Sequence, residues 1–169
     1  GTGAADLAMS VGAWIRPSNV SAAREIISKY DTSNFEYEFL ITSSAKLQLT
    51  AHDNSVPASI GIQSTTALVV DTWVHVVATK STGITETAEI LYINGVAETP
   101  ISASAGVYVA MEDLTSVLNL GHYKSSGAAA GLFAGKMAGG PCGPFLTQVG
   151  LTAGEVKRLY ETQRAAMAL

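Results

Sequence analysis

With 169 residues, a net charge of −4 and a single cysteine, Cys142, the chain has room for one sizeable core but no intrachain disulfide and no cysteine metal cluster. It also lacks the basic surplus that a nucleic-acid partner demands. Charged residues make up 14% of the chain, against roughly a quarter in average globular domains, and so sparse a charged surface points either to packing against neighbours in an assembly or to a surface rich in Ser, Thr and Gly. No apolar run approaches the ~20 residues of a membrane-spanning helix, and no basic region followed by an apolar one opens the chain at Gly1.

The period is mostly two, the signature of strands with one face on a core. MSVGAWIRP at 9–17 and EIISKYD at 25–31 come first, and a turn at 31–34 follows. EYEFLIT then places Tyr37, Phe39 and Ile41 on one face and Glu36, Glu38 and Leu40 on the other. KLQLTA sets Leu47, Leu49 and Ala51 against Lys46, Gln48 and Thr50, before a second turn at 52–55. In DTWVHVVATK, Trp73, His75, Val77 and Thr79 share one face, and Val74, Val76, Ala78 and Lys80 the other. Both faces are partly apolar, as in a central strand of a two-sheet sandwich. Trp73 is expected to bury its ring, and His75 to be half-buried and hydrogen-bonded, a structural residue. ILYING ends on Asn94-Gly95, the strongest short hairpin signal in the chain, and packs Tyr92. SVLNLG is a further strand. Residues 125–141 read as a loop, a tightly packed strand and another loop. At the end, Thr152 and Glu155 have capping-box spacing, and Val156, Leu159, Tyr160, Gln163 and Met167 follow at helical intervals. The prediction is an all-β, two-sheet antiparallel sandwich (a jelly roll) spanning 1–169 as one domain, with a C-terminal α-helix from about 153 to 166.

Candidate chemistry is thin. A glycan hydrolase on such a sandwich wants carboxylates alternating along one strand face, a spacing that Glu36 and Glu38 have. Those residues flank an apolar alternation and read more simply as a solvated face. His52, His75 and His122 lie far apart in sequence, with no metal-site spacing. Asp31, Asn34, Asp53 and Asn54 offer oxygen ligands in two loops, so calcium is the one cofactor worth considering, but Asx turns explain them more economically. His122, Tyr123 and Lys124 form an aromatic-polar cluster in a loop and, with Asp53 and Asn54, are the candidate ligand contacts. Trp14 and Trp73 sit inside strand patterns and read as core, alongside the structural set His75, Tyr92, Asn94, Gly95, Leu159 and Tyr160.

The ordered set of segments from Met9 to Tyr160 resembles the laminin-G-like / concanavalin A-like jelly-roll family. The segments are MSVGAWIRP, EYEFLITSSAKLQLTAHDN, DTWVHVVATK, ILYINGVAE, VLNLGHY and LTAGEVKRLYE. The resemblance implies a jelly roll that binds or adheres rather than catalyses. It also implies an opening strand that Gly1–Ala8 does not supply. GGPCGPFLTQ at 139–148 is similar to the wording found in laminin-G-like proteins of tailed phages. The resulting expectation is a non-catalytic structural or adhesion domain on a virion surface, as a capsid decoration, head-fibre or tail-fibre module. It would be a homo-oligomer or a lattice-bound chain, contacting other virion proteins and host glycans. The alternative is an extracellular carbohydrate-binding module of a secreted or cell-surface bacterial protein. Neither reading involves nucleic acid or a membrane.

Overall fold

The computed structural model describes residues 6–169. Two six-stranded sheets face each other, and every strand pairing is antiparallel. The first sheet is built on β1 (Met9–Pro17), β6 (Val74–Lys80), β7 (Glu89–Ile93) and β8 (Val96–Ala97). On the far side of β1 lie β13 (Gly135–Met137) and β14 (Phe145–Thr147), each pairing with a different part of it. The second sheet runs β10 (Leu118–Leu120), β2 (Arg24–Asp31), β3 (Asn34–Ile41), β4 (Lys46–Asp53), β5 (Ala58–Ala67) and β9 (Ile101–Ser102). A separate hairpin pairs β11 (Tyr123–Ser125) with β12 (Ala128–Ala130). One helix, α1 (Ala153–Ala166), closes the chain.

The main core lies between the sheets. Val11, Ala13, Ile15, Val74, Val76, Ala78 and Leu91 meet Ile26, Ile27, Tyr37, Phe39, Ile41, Leu47, Leu49 and Ile62. Each fully buried aliphatic or aromatic side chain of this set contributes about 1.5–3 kcal/mol. The expected alternation therefore holds in β4 and β6, whose two sets of side chains face opposite ways. The opening strand implied by the family resemblance falls partly on residues 1–5, outside the described residues. Asp6–Ala8 form no strand.

Two bulges break the alternation elsewhere. Ile27 pairs with Phe39 and Glu25 with Leu40, so Ile26 is an extra residue, and both isoleucines reach the core. Lys29 pairs with Tyr37 and Tyr30 with Phe35, so Glu36 is the extra residue on β3. A bulge reverses side-chain parity on one side of itself. Glu36 and Glu38, expected to share a solvated face, are separated by it. Glu36 is 3% exposed, with an ion pair to Lys29 (2.7 Å) and hydrogen bonds from the Leu114 amide and the Ser116 hydroxyl. Phe35 moves instead to the outer face of the second sheet, beside Tyr30.

The first sheet's outer face is covered by α1. Thr152 and Glu155 form the capping box expected of them, which fixes where the helix starts. Val156 packs on Val77 and Tyr92, with Phe145 and Leu151 at the border. Phe145 pairs across from Gly12, and a Cβ on Gly12 would lie 2.7 Å from its ring. The glycine in MSVGAW is thus required by a packing partner more than a hundred residues away. Asn94 and Gly95 make the tight turn, both at positive φ, and the turn lies under Tyr160. Trp14, His75 and Tyr160 stack in the same layer, with ring centroids 5.3–5.8 Å apart.

Two structural expectations need correcting. Trp73 precedes β6 and is only partly buried, because the strand begins at Val74; the fully buried tryptophan is Trp14. His75 is completely buried rather than half-buried, and neither ring nitrogen has a hydrogen-bond partner. Burial pushes its pKa down to about 4, opposed by Gln163, which favours the protonated ring. β10 is also turned from its simple polarity: Asn119 is buried, while Leu118 and Leu120 are about half exposed.

At the rim of the core sits an ionic cluster that has no signature in the sequence. Lys80 and Asp6 are both fully buried at the side chain and 3.0 Å apart. Asp6 also accepts from the Tyr108 hydroxyl (2.5 Å) and the Met111 amide (2.8 Å), and Lys80 donates to the Gly83 carbonyl (2.6 Å). Each member is satisfied by partners from distant segments, as buried charges require. Glu89 is the exception: burial, outweighing the attraction of Lys80, pushes its pKa up to about 8.

Candidate functional site

The second sheet's outer face carries no helix. Strand alternation puts Glu38 of β3, Gln48, Thr50 and His52 of β4, and Ser59 and Gln63 of β5 on it, opposite the core-facing residues. The Glu36 bulge adds Phe35, and β2 adds Tyr30. Tyr30 and Phe35 stack at 4.5 Å with a 22° interplanar angle, and His52 meets Tyr30 edge-on at 5.5 Å. Tyr123 of the β11–β12 hairpin approaches Tyr30 edge-on at 5.2 Å. Its neighbour Gly131 is forced to be small: a Cβ there would lie 2.8 Å from the Tyr123 ring, and its φ is +59°.

Polar groups flank this aromatic patch. His52 Nε2 lies 3.0 Å from Glu38 Oε2, with both side chains partly exposed. Gln63 donates to Gln48, and Gln48 to the Thr50 hydroxyl, so amides and a hydroxyl run across two strands. Behind Tyr123, Glu25 is 1% exposed and its Oε2 has no partner. Burial, then the charge of Glu38 and a hydrogen bond to it, push the Glu25 pKa up to about 10, so this carboxyl is protonated at neutral pH. Burial and the same carboxylates push Tyr30 up to about 12. A cleft of about 300 Å³ opens beside the patch, lined by Tyr30, Phe35, His52, Asp53, Asn54 and Ser59, with Pro57, Ala58 and Ala105 at its apolar border. Stacked rings with a few fixed polar groups in a concavity are the general make-up of a small-ligand site.

The predicted contacts divide around this cleft. Asn54 lines it and donates to the Ser33 carbonyl (2.9 Å), which ties the loops at 31–34 and 52–55 together. Asp53 lines it too, but its carboxylate already accepts from the Ser55 amide and hydroxyl and from the amides of Val56, Val109 and Ala110. Burial raises its pKa, but these hydrogen bonds outweigh burial and the net shift is downward. Asp53 is therefore an ionised loop anchor whose oxygens are taken up internally, not a free ligand. Asp31 accepts from the adjacent Thr32 amide (2.6 Å). Among the described residues no group of three or more acidic, histidine or cysteine side chains is placed to hold a metal ion. Of the loop cluster at 122–124, Tyr123 joins the patch. His122 hydrogen-bonds the Leu120 carbonyl, and Lys124 alternates away from Tyr123 along β11.

Tyr30, Phe35, Glu25 and the Glu38–His52 pair were not singled out from the sequence. Tyr30 and Phe35 flank the turn at 31–34, and aromatics on both sides of a hairpin turn are a signal available in retrospect.

A family model described as the concanavalin A-like lectin/glucanases superfamily, of laminin-G type, matches residues 3–138. The chain belongs to this superfamily. Among solved structures it is similar to the carbohydrate-binding CBM40 domain of the Ruminococcus gnavus sialidase bound to α2,3-sialyllactose. That match has 12% identity and a TM-score of 0.67, and covers 91% of this chain and 83% of the other. It is also similar to the heptameric SAP-like pentraxin of Limulus polyphemus (15% identity, TM-score 0.59, 94% and 71% covered). A third similar structure is the receptor-binding domain of botulinum neurotoxin mosaic serotype C/D (13% identity, TM-score 0.59), where the match covers 93% of this chain and 37% of that one. At these identities the likeness establishes the jelly-roll fold. No curated protein matches the sequence.

Proposed function

We propose that the chain is a non-catalytic carbohydrate-binding domain of a protein that works outside the cell, and that it holds its glycan in the cleft beside Tyr30 and Phe35. The observation that carries this is the pairing of a stacked aromatic patch with amide, hydroxyl and carboxylate groups on a sheet face that no helix covers. A sugar ring presents an apolar face to stack on aromatics and a rim of hydroxyls to pair with amides and carboxylates. The similar structures are binding domains, which supports this reading over a virion-surface role. The phage-like wording at 139–148 has a packing explanation in this fold, because it delivers Phe145 to Gly12.

Catalysis is disfavoured by the acids themselves. Of the acids beside the patch, Glu25 is 1% exposed and the Asp53 oxygens are taken up by internal donors, so neither is placed to act with Glu38 as the second carboxyl that glycoside hydrolysis needs. The test is a glycan-binding screen with the wild-type chain and Tyr30→Ala. The expected result is saturable binding without cleavage, weakened about tenfold or more in the variant, the equivalent of roughly 1.4 kcal/mol. A screen blank for every glycan, with and without calcium, overturns the proposal.

A further inference from the structure

We infer that the cleft selects neutral glycans and rejects anionic ones, an assignment that rests on the carbohydrate-binding reading above. The charges around the cleft decide it. Asp53 lines the cleft as an ionised carboxylate, and Glu38 stands beside it through its contact with His52. Among the described residues that line the cleft there is no lysine or arginine. His52 is the one side chain there able to carry positive charge, and it is already 3.0 Å from Glu38.

Lys124, the cation next to Tyr123, alternates away from it along β11. Lys29 is paired with Glu36 and Asp113, and Arg24 donates to the Leu132 carbonyl. A glycan carboxylate entering the cleft would lose water and gain no cation, while meeting two fixed negative charges. A neutral sugar carries no charge for Asp53 and Glu38 to repel, and it meets Glu38 and the Asn54 amide as hydrogen-bonding groups at the cleft. The similar CBM40 structure holds a sialylated ligand, so this chain's cleft differs in the ligand it takes while sharing that fold.

The experiment is a binding panel of the full chain against paired glycans. Each neutral oligosaccharide is set beside the same oligosaccharide carrying a terminal sialic acid. The expected result is binding of at least one neutral glycan and at least about tenfold weaker binding of its sialylated counterpart. Steric exclusion by the added sugar is separated from charge by the variant Glu38→Gln, whose stability is checked by thermal melting. Charge rejection predicts that the neutral-to-sialylated ratio narrows at least threefold in Glu38→Gln, and narrows again in the wild type as salt is raised. Equal or tighter binding of the sialylated glycan by the wild type overturns the inference and leaves the carbohydrate-binding reading intact. A ratio unchanged by both Glu38→Gln and salt overturns it as well. Binding of neither class overturns the carbohydrate-binding reading, and this inference with it.

Discussion

The two outer faces of the sandwich use the same kinds of residue to opposite ends. On the first sheet, Trp14, His75 and Tyr160 pack together beneath α1, and the histidine is sealed and neutral, with neither ring nitrogen in a hydrogen bond. On the second, Tyr30, Phe35, Tyr123 and His52 cluster with no helix above them, and the histidine faces a carboxylate at the edge of a cleft. An aromatic-histidine cluster is therefore not a site by composition. The cover decides: α1 seals the first cluster into the fold, whereas the second, bordered only by the β11–β12 hairpin, stays open at the cleft, as the proposed glycan binding requires.

The largest effect that separates the faces is expected from Trp14→Ala. It removes the biggest fully buried side chain and opens a cavity under α1, so the domain should lose about 3–5 kcal/mol in chemical denaturation. Glycan affinity of the fraction that remains folded should be unchanged. A loss of affinity in step with stability would mean that the two faces are not independent.

Next comes acid. Unfolded His75 takes up a proton near pH 6.5, whereas the folded ring refuses one until about pH 4. The contribution of the neutral buried ring is thus intact above pH 6.5 and is lost as pH falls from 6.5 to 4, by about 3 kcal/mol. His75→Phe should flatten that part of the stability profile, and an unaltered profile would show that another group is responsible.

Glu25 titrates in the reverse sense. Its folded pKa, about 10, lies above the unfolded 4.5, so its contribution is fully present below pH 4.5 and is lost as pH rises towards 10. Glu25→Gln should therefore stabilise the domain at pH 7, by on the order of 2 kcal/mol, and change little at pH 4. A variant destabilised at both pH values would show that keeping this carboxyl protonated at pH 7 costs the folded state nothing.

What was legible in the sequence is local. Alternation located β4 and β6, Asn94-Gly95 marked the hairpin, and Thr152 with Glu155 marked the helix start, because each signal is read within a few residues. Glu36 was misplaced since a bulge depends on pairing with β2, which no window on β3 reveals. The Asp6–Lys80–Tyr108 cluster joins residues 74 and 102 positions from Asp6, and only the topology brings them together. Of the cleft's lining, Asp53 and Asn54 are legible as loop residues, and Tyr123 as a neighbour of the aromatic patch. Tyr30 and Phe35 looked like ordinary strand aromatics until the bulge turned Phe35 outward.

The central claim is that the uncovered face binds and the covered face holds. The most direct measurement is a titration of the isotopically labelled domain with a neutral oligosaccharide identified in the screen, followed by backbone amide shifts in NMR spectra. The account predicts concentration-dependent shifts at Tyr30, Phe35, His52, Asn54 and Tyr123, with Trp14, His75 and Tyr160 unmoved. Shifts centred on α1 and the Asn94–Gly95 turn, with the Tyr30 patch silent, would contradict it.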